Sequence, residues 1–460
     1  MDIAEVLRLN NRATIDSLLP LTKVTSKAAI KKYSEMGYSV GMTAEEFSEK
    51  YPLLPIENIF AANDMVSSLY YCELENELPI VIVLQIFGKE RLSLGDTDEQ
   101  FQKHVLERAN KLRHADMSMI GAYLYSLNGS LLLSVLSTYV KRAKPSEELY
   151  DLFVGYYRDA DYGFSNIAIS DLKKVASHKS EKAKEETARN LADLPDTIRV
   201  YRGEGSSSTP YTKSFSWTTS INVAYFFACR LPSSENSRII SGTVSKKDVI
   251  EYFPDDGEKE IWVLPSSVKD VEEETLYGID SLAFLYPLFA STYQTYRQKI
   301  KKLYASNESH EHDAKHTLRV LFNALVIVYF GKIDLTKKDE KRLYDAILYH
   351  DIGRTNEDVD DSHGAASADI YERQANNPDS ITRFLIQYHC IDDDASMQVL
   401  DKMRFHDKDS VILLYKILKD ADALDRVRFG MRAVDVNYFR LPISPKLLPT
   451  AQTCLTGLEL

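Results

Sequence analysis

The stretch AILYHDIGRTNEDVDDSHG, from Ala346 to Gly364, decides how the chain is read. An apolar run at helical spacing ends abruptly on His350-Asp351, then gives way to a loop crowded with carboxylates and a further histidine, His363. A helix that turns its apolar side to a core and closes on two adjacent donor side chains can present both to one ion from a single turn. Any one histidine at a helix end is ordinarily a cap or a satisfied core group, so the weight falls on what else the sequence supplies.

It supplies a good deal. Upstream, HDAKHTLRVLFNALVIVYF sets His312 and His316 one turn apart ahead of a strongly apolar helical face. Downstream come His363 in DSHG, His389 in LIQYHC, and LKDADALDRVR with Asp420, Asp422 and Asp425. Neutral imidazole nitrogen and carboxylate oxygen are the donors that divalent Fe, Mn, Co, Ni or Zn accept.

The motifs HDAKHTLRV, AILYHDIGR and LKDADALDR, in the order H…HD…D, resemble the HD-domain metallophosphohydrolase superfamily. The resemblance covers roughly residues 300–445 and implies an all-helical domain. It implies His316, His350, Asp351 and Asp422 as ligands of a first ion. Asp420 competes for the last place, but ADAL fits the family's small residue followed by Leu and favours Asp422. His363 and His389 stand where two-metal members carry extra histidines, so one or two divalent transition-metal ions are expected. The implied chemistry is hydrolysis of a nucleotide or other phosphate ester by a water that the metal acidifies. Asp351 would bridge the ions or orient that water. Arg354, one turn after His350, would contact phosphate, with Lys315, Arg319 and Arg426 as further candidate contacts.

The middle of the chain carries a second constellation: VYRGEG, then SFSWTTSINVAYFFACR, then DDGEKEIWVLP. Taken in order, an Arg on a strand end, a Ser/Thr-rich strand running into a helix and an E-x-E before a β-type run resemble the R-S-E class of mono-ADP-ribosyltransferases. The likeness covers roughly residues 195–268 and is less specific. It implies that Arg202, with Gly203 beside it, holds the phosphates of NAD, and that Ser216, Trp217 and Thr218 form the strand under the nicotinamide. Either Ser216 or Thr218 could supply the key hydroxyl. Glu260 would be the catalytic carboxylate that stabilises an oxocarbenium. Glu258, two residues earlier and on the same face of a strand, would position an acceptor, and E-x-E implies arginine.

Around these sites the composition is that of a soluble globular chain, with 44% hydrophobic and 27% charged residues. A formal charge of −12 argues against a broad grip on nucleic acid. Cys72, Cys229, Cys390 and Cys454 show no paired spacing, which points to a reducing compartment rather than a disulfide scaffold. The first twenty residues lack a signal-peptide core, and the longest apolar run, Ile80 to Phe87, is too short to span a bilayer. The expectation is therefore no membrane and a cytoplasmic protein, in a bacterial cytoplasm or in a host cytosol if it is a secreted effector.

The fold class expected is multidomain and mostly α. An α-rich domain would occupy 1–104, with a strand at LPIVIVLQIF. An ADP-ribosyltransferase-like domain would occupy 105–275, its helical lobe preceding a β core at 195–268, and an HD domain would follow over 283–460. Helices are expected at DEQFQKHVLERANKLRHADMSMIGAYLYSL, SLLLSVLSTYVKRA, SEELYDLFVGYY and EKAKEETARNLADLP. The function expected is a bifunctional enzyme, a transferase acting on a target protein joined to a metal-dependent phosphohydrolase, of the kind found in bacterial effectors or toxins. Two alternatives stand beside it: a hydrolase with an inactive nucleotide-binding middle domain, and a non-catalytic sensor or scaffold.

Overall fold

The computed structural model describes residues 22–23, 49–53, 56–61, 67–74, 78–85, 99–100, 102–103, 129–160, 164–205, 208–230, 237–278, 285–305, 314–355 and 361–457. The chain divides into two compact units, Met1–Glu186 and Thr187–Leu460.

The first unit holds a four-stranded antiparallel sheet of β1 (Thr22–Lys23), β2 (Ile56–Ala61), β3 (Ser67–Leu74) and β4 (Leu78–Gln85), in that spatial order. The strand expected at LPIVIVLQIF is β4. Its partners differ from the α-rich reading of 1–104: NIF and SSLYYCEL are short β-type runs without clean alternation, and pairing along the meander makes strands of them. Most of the long helix expected from Asp98 to Leu127 lies outside the described residues. Three helices follow, α1 (Gly129–Arg142), α2 (Glu147–Arg158) and α3 (Ile169–Ala176). In α2, Ser146 accepts from the Leu149 amide at 3.2 Å as N-cap, and Leu149, Tyr150, Phe153 and Tyr157 are buried at helical spacing. Buried Asp171 of α3 accepts from Ser137 Oγ at 3.0 Å and from the Ala168 amide at 3.1 Å, fastening α3 to α1.

Helix α4 (Glu181–Asn190) leads into the second unit and a six-stranded sheet of β5 (Thr197–Glu204), β6 (Ser216–Thr218), β7 (Arg238–Ser245), β8 (Val249–Phe253), β9 (Glu260–Val263) and β10 (Lys269–Thr275). The spatial order is β10-β7-β5-β6-β9-β8, with every neighbouring pair antiparallel. One face buries Ile198, Val200, Trp217, Ile240 and Ile261. On the other lies α5 (Ile221–Cys229), whose Ala224, Tyr225 and Ala228 belong to the same continuous core as the helices beyond.

Those helices are α6 (Tyr286–Leu303), α7 (Ala314–Phe330), α8 (Lys337–Tyr349), α9 (His363–Gln374), α10 (Ser380–Tyr388), α11 (Asp393–Lys402), α12 (Lys408–Asp425) and α13 (Leu448–Gly457). Helix α7 is the axis of this all-α region, buried almost all round from His316 to Ile327. Between α12 and α13 the segment 426–447 runs back to the sheet. There Asn222 of α5 donates to Asp435 at 2.8 Å and accepts from the Val436 amide at 2.8 Å. No described helix is long and apolar enough to cross a membrane.

Candidate functional site

Two helices in the all-α region end the same way. Helix α8 drives Leu343, Ala346 and Ile347 into the core and stops so that His350 is its C-cap, with Asp351 next; α10 buries Phe384, Leu385 and Ile386 and stops on His389. In each, ring Nδ1 lies against the carbonyl three residues back, His350 on Ile347 at 2.8 Å and His389 on Ile386 at 2.7 Å. A carbonyl only accepts, so Nδ1 carries the proton in both rings and Nε2 is left as a lone-pair donor. His316, fully buried, comes in from the first turn of α7, and His363 opens α9.

These groups converge. Asp351 turns Oδ2 toward His316 Nε2 at 3.3 Å and His350 Nε2 at 3.6 Å, and Oδ1 toward His363 Nε2 at 3.1 Å and His389 Nε2 at 3.3 Å. His316 Nε2 also lies 3.2 Å from His350 Nε2 and 3.3 Å from Asp422 Oδ1, while His363 and His389 bring their Nε2 atoms within 3.0 Å. Asp351 thus stands between two donor groups, His316, His350 and Asp422 on one side and His363 and His389 on the other. Donors bonded at ~2.1 Å around one ion sit roughly 3–3.5 Å apart, so the set fits a divalent transition metal. Every residue expected as a ligand is in it.

The electrostatics ask for positive charge. Burial alone would discharge His316, yet hydrogen bonds to Asp351 and Asp425 outweigh it and lift the ring to about 9. His363 rises to about 10 on the same balance, burial against Asp351 and Cys390. Burial pushes His350 down to about 4, and Asp422 is held below the usual carboxylate range, because the surrounding histidines outweigh its burial. Buried carboxylates facing lone-pair nitrogens need a counter-charge, which a proton or a metal can provide.

Asp425, named in the sequence among the carboxylates but not as a ligand, supports the site from behind His316. Asp425 accepts from His316 Nδ1 at 2.8 Å, from Arg319 Nε at 2.6 Å and Nη2 at 3.0 Å, and from Arg428 Nη1 at 3.1 Å. Its spacing of one turn from Asp422 is the signal that could have revealed it. Arg319, a candidate phosphate contact, is committed to this ion pair instead. Arg426 donates to the Ala433 carbonyl at 3.1 Å, Lys315 is exposed, and Arg354 is half-buried with its amide on Asp351 O at 3.0 Å. Asp420, fully buried, accepts from the amides of Arg440 and Leu441 and from Ser444 Oγ at 2.7 Å. It fastens the segment after α12 rather than facing the histidines. Cys390, directly after His389, also lies within ligand range of His363 and His389.

In the sheet, β5, β6 and β9 are neighbours, so Arg202, Ser216 and Glu260 lie close together. Ser216 Oγ donates a short hydrogen bond to the Glu260 carboxylate. Arg202 donates Nη1 to Ser216 O and Nη2 to Thr209 O, both at 2.7 Å, so its guanidinium braces this strand. Thr218 Oγ1 donates to Glu258 O at 2.6 Å and accepts from the Ser220 amide, whereas Ser216 reaches the carboxylate. Burial lifts Glu260 to about 7 against the hydrogen bond from Ser216. Glu258 departs from its expected place on a strand: β9 begins only at Glu260, and Lys259 between them takes φ 48°, so a turn, not strand alternation, sets its direction. Trp217 is buried in the core with Val200 and Ile261, and Gly203 lies against the backbone of α5; neither presents a surface to a dinucleotide.

No curated protein and no solved structure matches the chain. Residues 313–427, which contain the whole donor set from His316 to Asp425, match the family described as HD domain.

Proposed function

We propose that the α7–α12 region is a metal-dependent phosphohydrolase centre for a nucleotide or other phosphate ester. The observation that carries this reading is Asp351 shared between two groups of histidine and aspartate donors. His316, His350, Asp351 and Asp422 would hold one divalent ion, and Asp351, His363 and His389 a second. A cation bound there supplies Lewis acidity for attack of water on phosphorus. The chain's own residues do the rest. The Ile347 and Ile386 carbonyls fix the tautomers of His350 and His389, Asp425 orients His316, and Arg354, one turn after His350, is the cation we assign to phosphoryl oxygens. Elemental analysis of the purified protein should find about one to two equivalents of transition metal. Hydrolysis across a panel of nucleotides and phosphodiesters should disappear in His350→Ala. A protein that stays metal-free after reconstitution with Mn or Fe would overturn the reading.

A second reading is favoured by the Ser216–Glu260 hydrogen bond beside Arg202: transfer of ADP-ribose from NAD to a guanidinium, on a target protein or on the chain itself. Glu260 would stabilise the oxocarbenium, Ser216 would hold that carboxylate in place, and Glu258 would position the acceptor. Release of nicotinamide from NAD, lost in Glu260→Ala with metal content unchanged, is the expected result. Equal release from both proteins would remove the reading.

A further inference from the structure

The segment that follows the metal-binding region brings an arginine to the sheet. Arg432 stacks its guanidinium over Phe226 of α5 at 4.5 Å and holds Nη2 3.7 Å from Glu258 Oε1. Both ends of this contact are fixed. Asp256 Oδ1 accepts from the amides of Glu258 at 2.9 Å and Lys259 at 2.8 Å, and Thr218 holds the Glu258 carbonyl. On the other side Asn222 clasps Asp435 and Val436, and Asp420 anchors Arg440. The arginine side chain is 65% exposed, so the pair contributes little to stability and the guanidinium is open to a ligand.

We propose that Arg432 is the chain's own acceptor for ADP-ribose, a modification site that Glu258 serves in cis. The proposal rests on the transferase reading of the sheet. In the transfer, the bond between C1′ of the ribose and the nicotinamide nitrogen of NAD breaks, and nicotinamide leaves neutral with the electron pair. A guanidinium nitrogen of Arg432 forms the new bond to C1′, and its proton passes to Glu258 and then to solvent. NAD and the arginine give ADP-ribosyl-arginine, nicotinamide and one proton, with no redox change. Holding the acceptor beside the residue that positions it replaces an encounter by a fixed arrangement, which favours this arginine over a dilute one.

The test uses the full chain with NAD, alone and with agmatine as a free guanidine, followed by nicotinamide release and peptide mass spectrometry. The expected result is an ADP-ribose adduct on Arg432, in the peptide from Phe429 to Arg440, with a rate constant unchanged on tenfold dilution of the protein. In Arg432→Lys that adduct should vanish while agmatine is still modified, and in Glu258→Gln it should form roughly tenfold more slowly or worse. Nicotinamide release with agmatine modified and Arg432 untouched would overturn the proposal and leave the transferase reading standing. No nicotinamide release with either acceptor would remove both.

Discussion

At the scale of single residues, the candidate metal centre depends on a carboxylate that does not face the donor set. Asp425 takes His316 Nδ1 on one side and Arg319 and Arg428 on the other, so a neutral amide there would loosen the ring and strand two cations. Asp425→Asn should therefore weaken metal binding by roughly 10–100-fold, measured by chelator competition, with activity recovered at high metal concentration. Affinity unchanged from the parent would show that His316 needs no such support. The titration of the rings gives a second prediction. Without metal, His316 at about 9 and His363 at about 10 hold protons at pH 7, because nearby carboxylates outweigh burial. A cation must expel them, so affinity should rise from pH 7 toward the two values and level off beyond them. Calorimetry in buffers of different ionisation enthalpy should detect about two protons released near neutral pH. Binding without proton release would contradict the arrangement.

At the scale of elements, the contact of β5 with α5 explains why Gly203 follows Arg202. A Cβ on Gly203 would lie 1.8 Å from Ala224 O and 2.7 Å from Ala228 N, both backbone atoms of a helix whose far side is in the core. Gly203→Ala should cost about 1–3 kcal/mol or more in denaturant titration, while Gly205→Ala, whose Cβ among the described residues meets Ala228 O at an ordinary 3.5 Å, should be near neutral. Equal stability of the two variants would contradict this packing. The same contact marks the limit of what could be read from the chain. The helix end at His350 was legible because an apolar 3.6-residue period stops on a donor, whereas His389 was read only as a histidine in LIQYHC, and its place at a helix end comes from the structure. The strand neighbours of Arg202, Ser216 and Glu260 were legible as motifs. Which way each side chain faces was not: that depends on register, on the φ of Lys259 and on the close approach of α5, all set by long-range packing. So Gly203 and Trp217, read as contacts of NAD, are packing positions in the structure, and Asp425, named beside Asp420 and Asp422, was not read as the support of His316.

At the scale of the molecule, the second unit runs from Thr187 to Leu460, and its sheet and helices share one core. Ala224, Tyr225, Ala228 and Ile239 from the sheet side lie in the same buried cluster as Phe322, Ile347, Leu414 and Leu424. Polar ties reinforce it: the Tyr277 amide donates to Lys446 O at 2.8 Å, Lys446 pairs with Glu274 at 2.8 Å, and Tyr277 stacks near Phe330. Because both contribute to one buried cluster, the sheet and the helices should unfold together rather than as two independent domains. The chain offers a clean test, because both of its tryptophans, Trp217 and Trp262, lie in the sheet, while the candidate metal donors lie in the all-α region. In denaturant, tryptophan fluorescence and release of bound metal to a chromogenic chelator should follow a single transition, with midpoints that coincide. A fragment cut at residue 283 should lose the sheet's share of the core and show a lower midpoint or aggregation. If metal is released in a transition well separated from the fluorescence change, the shared core does not couple the two halves, and the contact between Arg432 and Glu258 joins domains that fold independently.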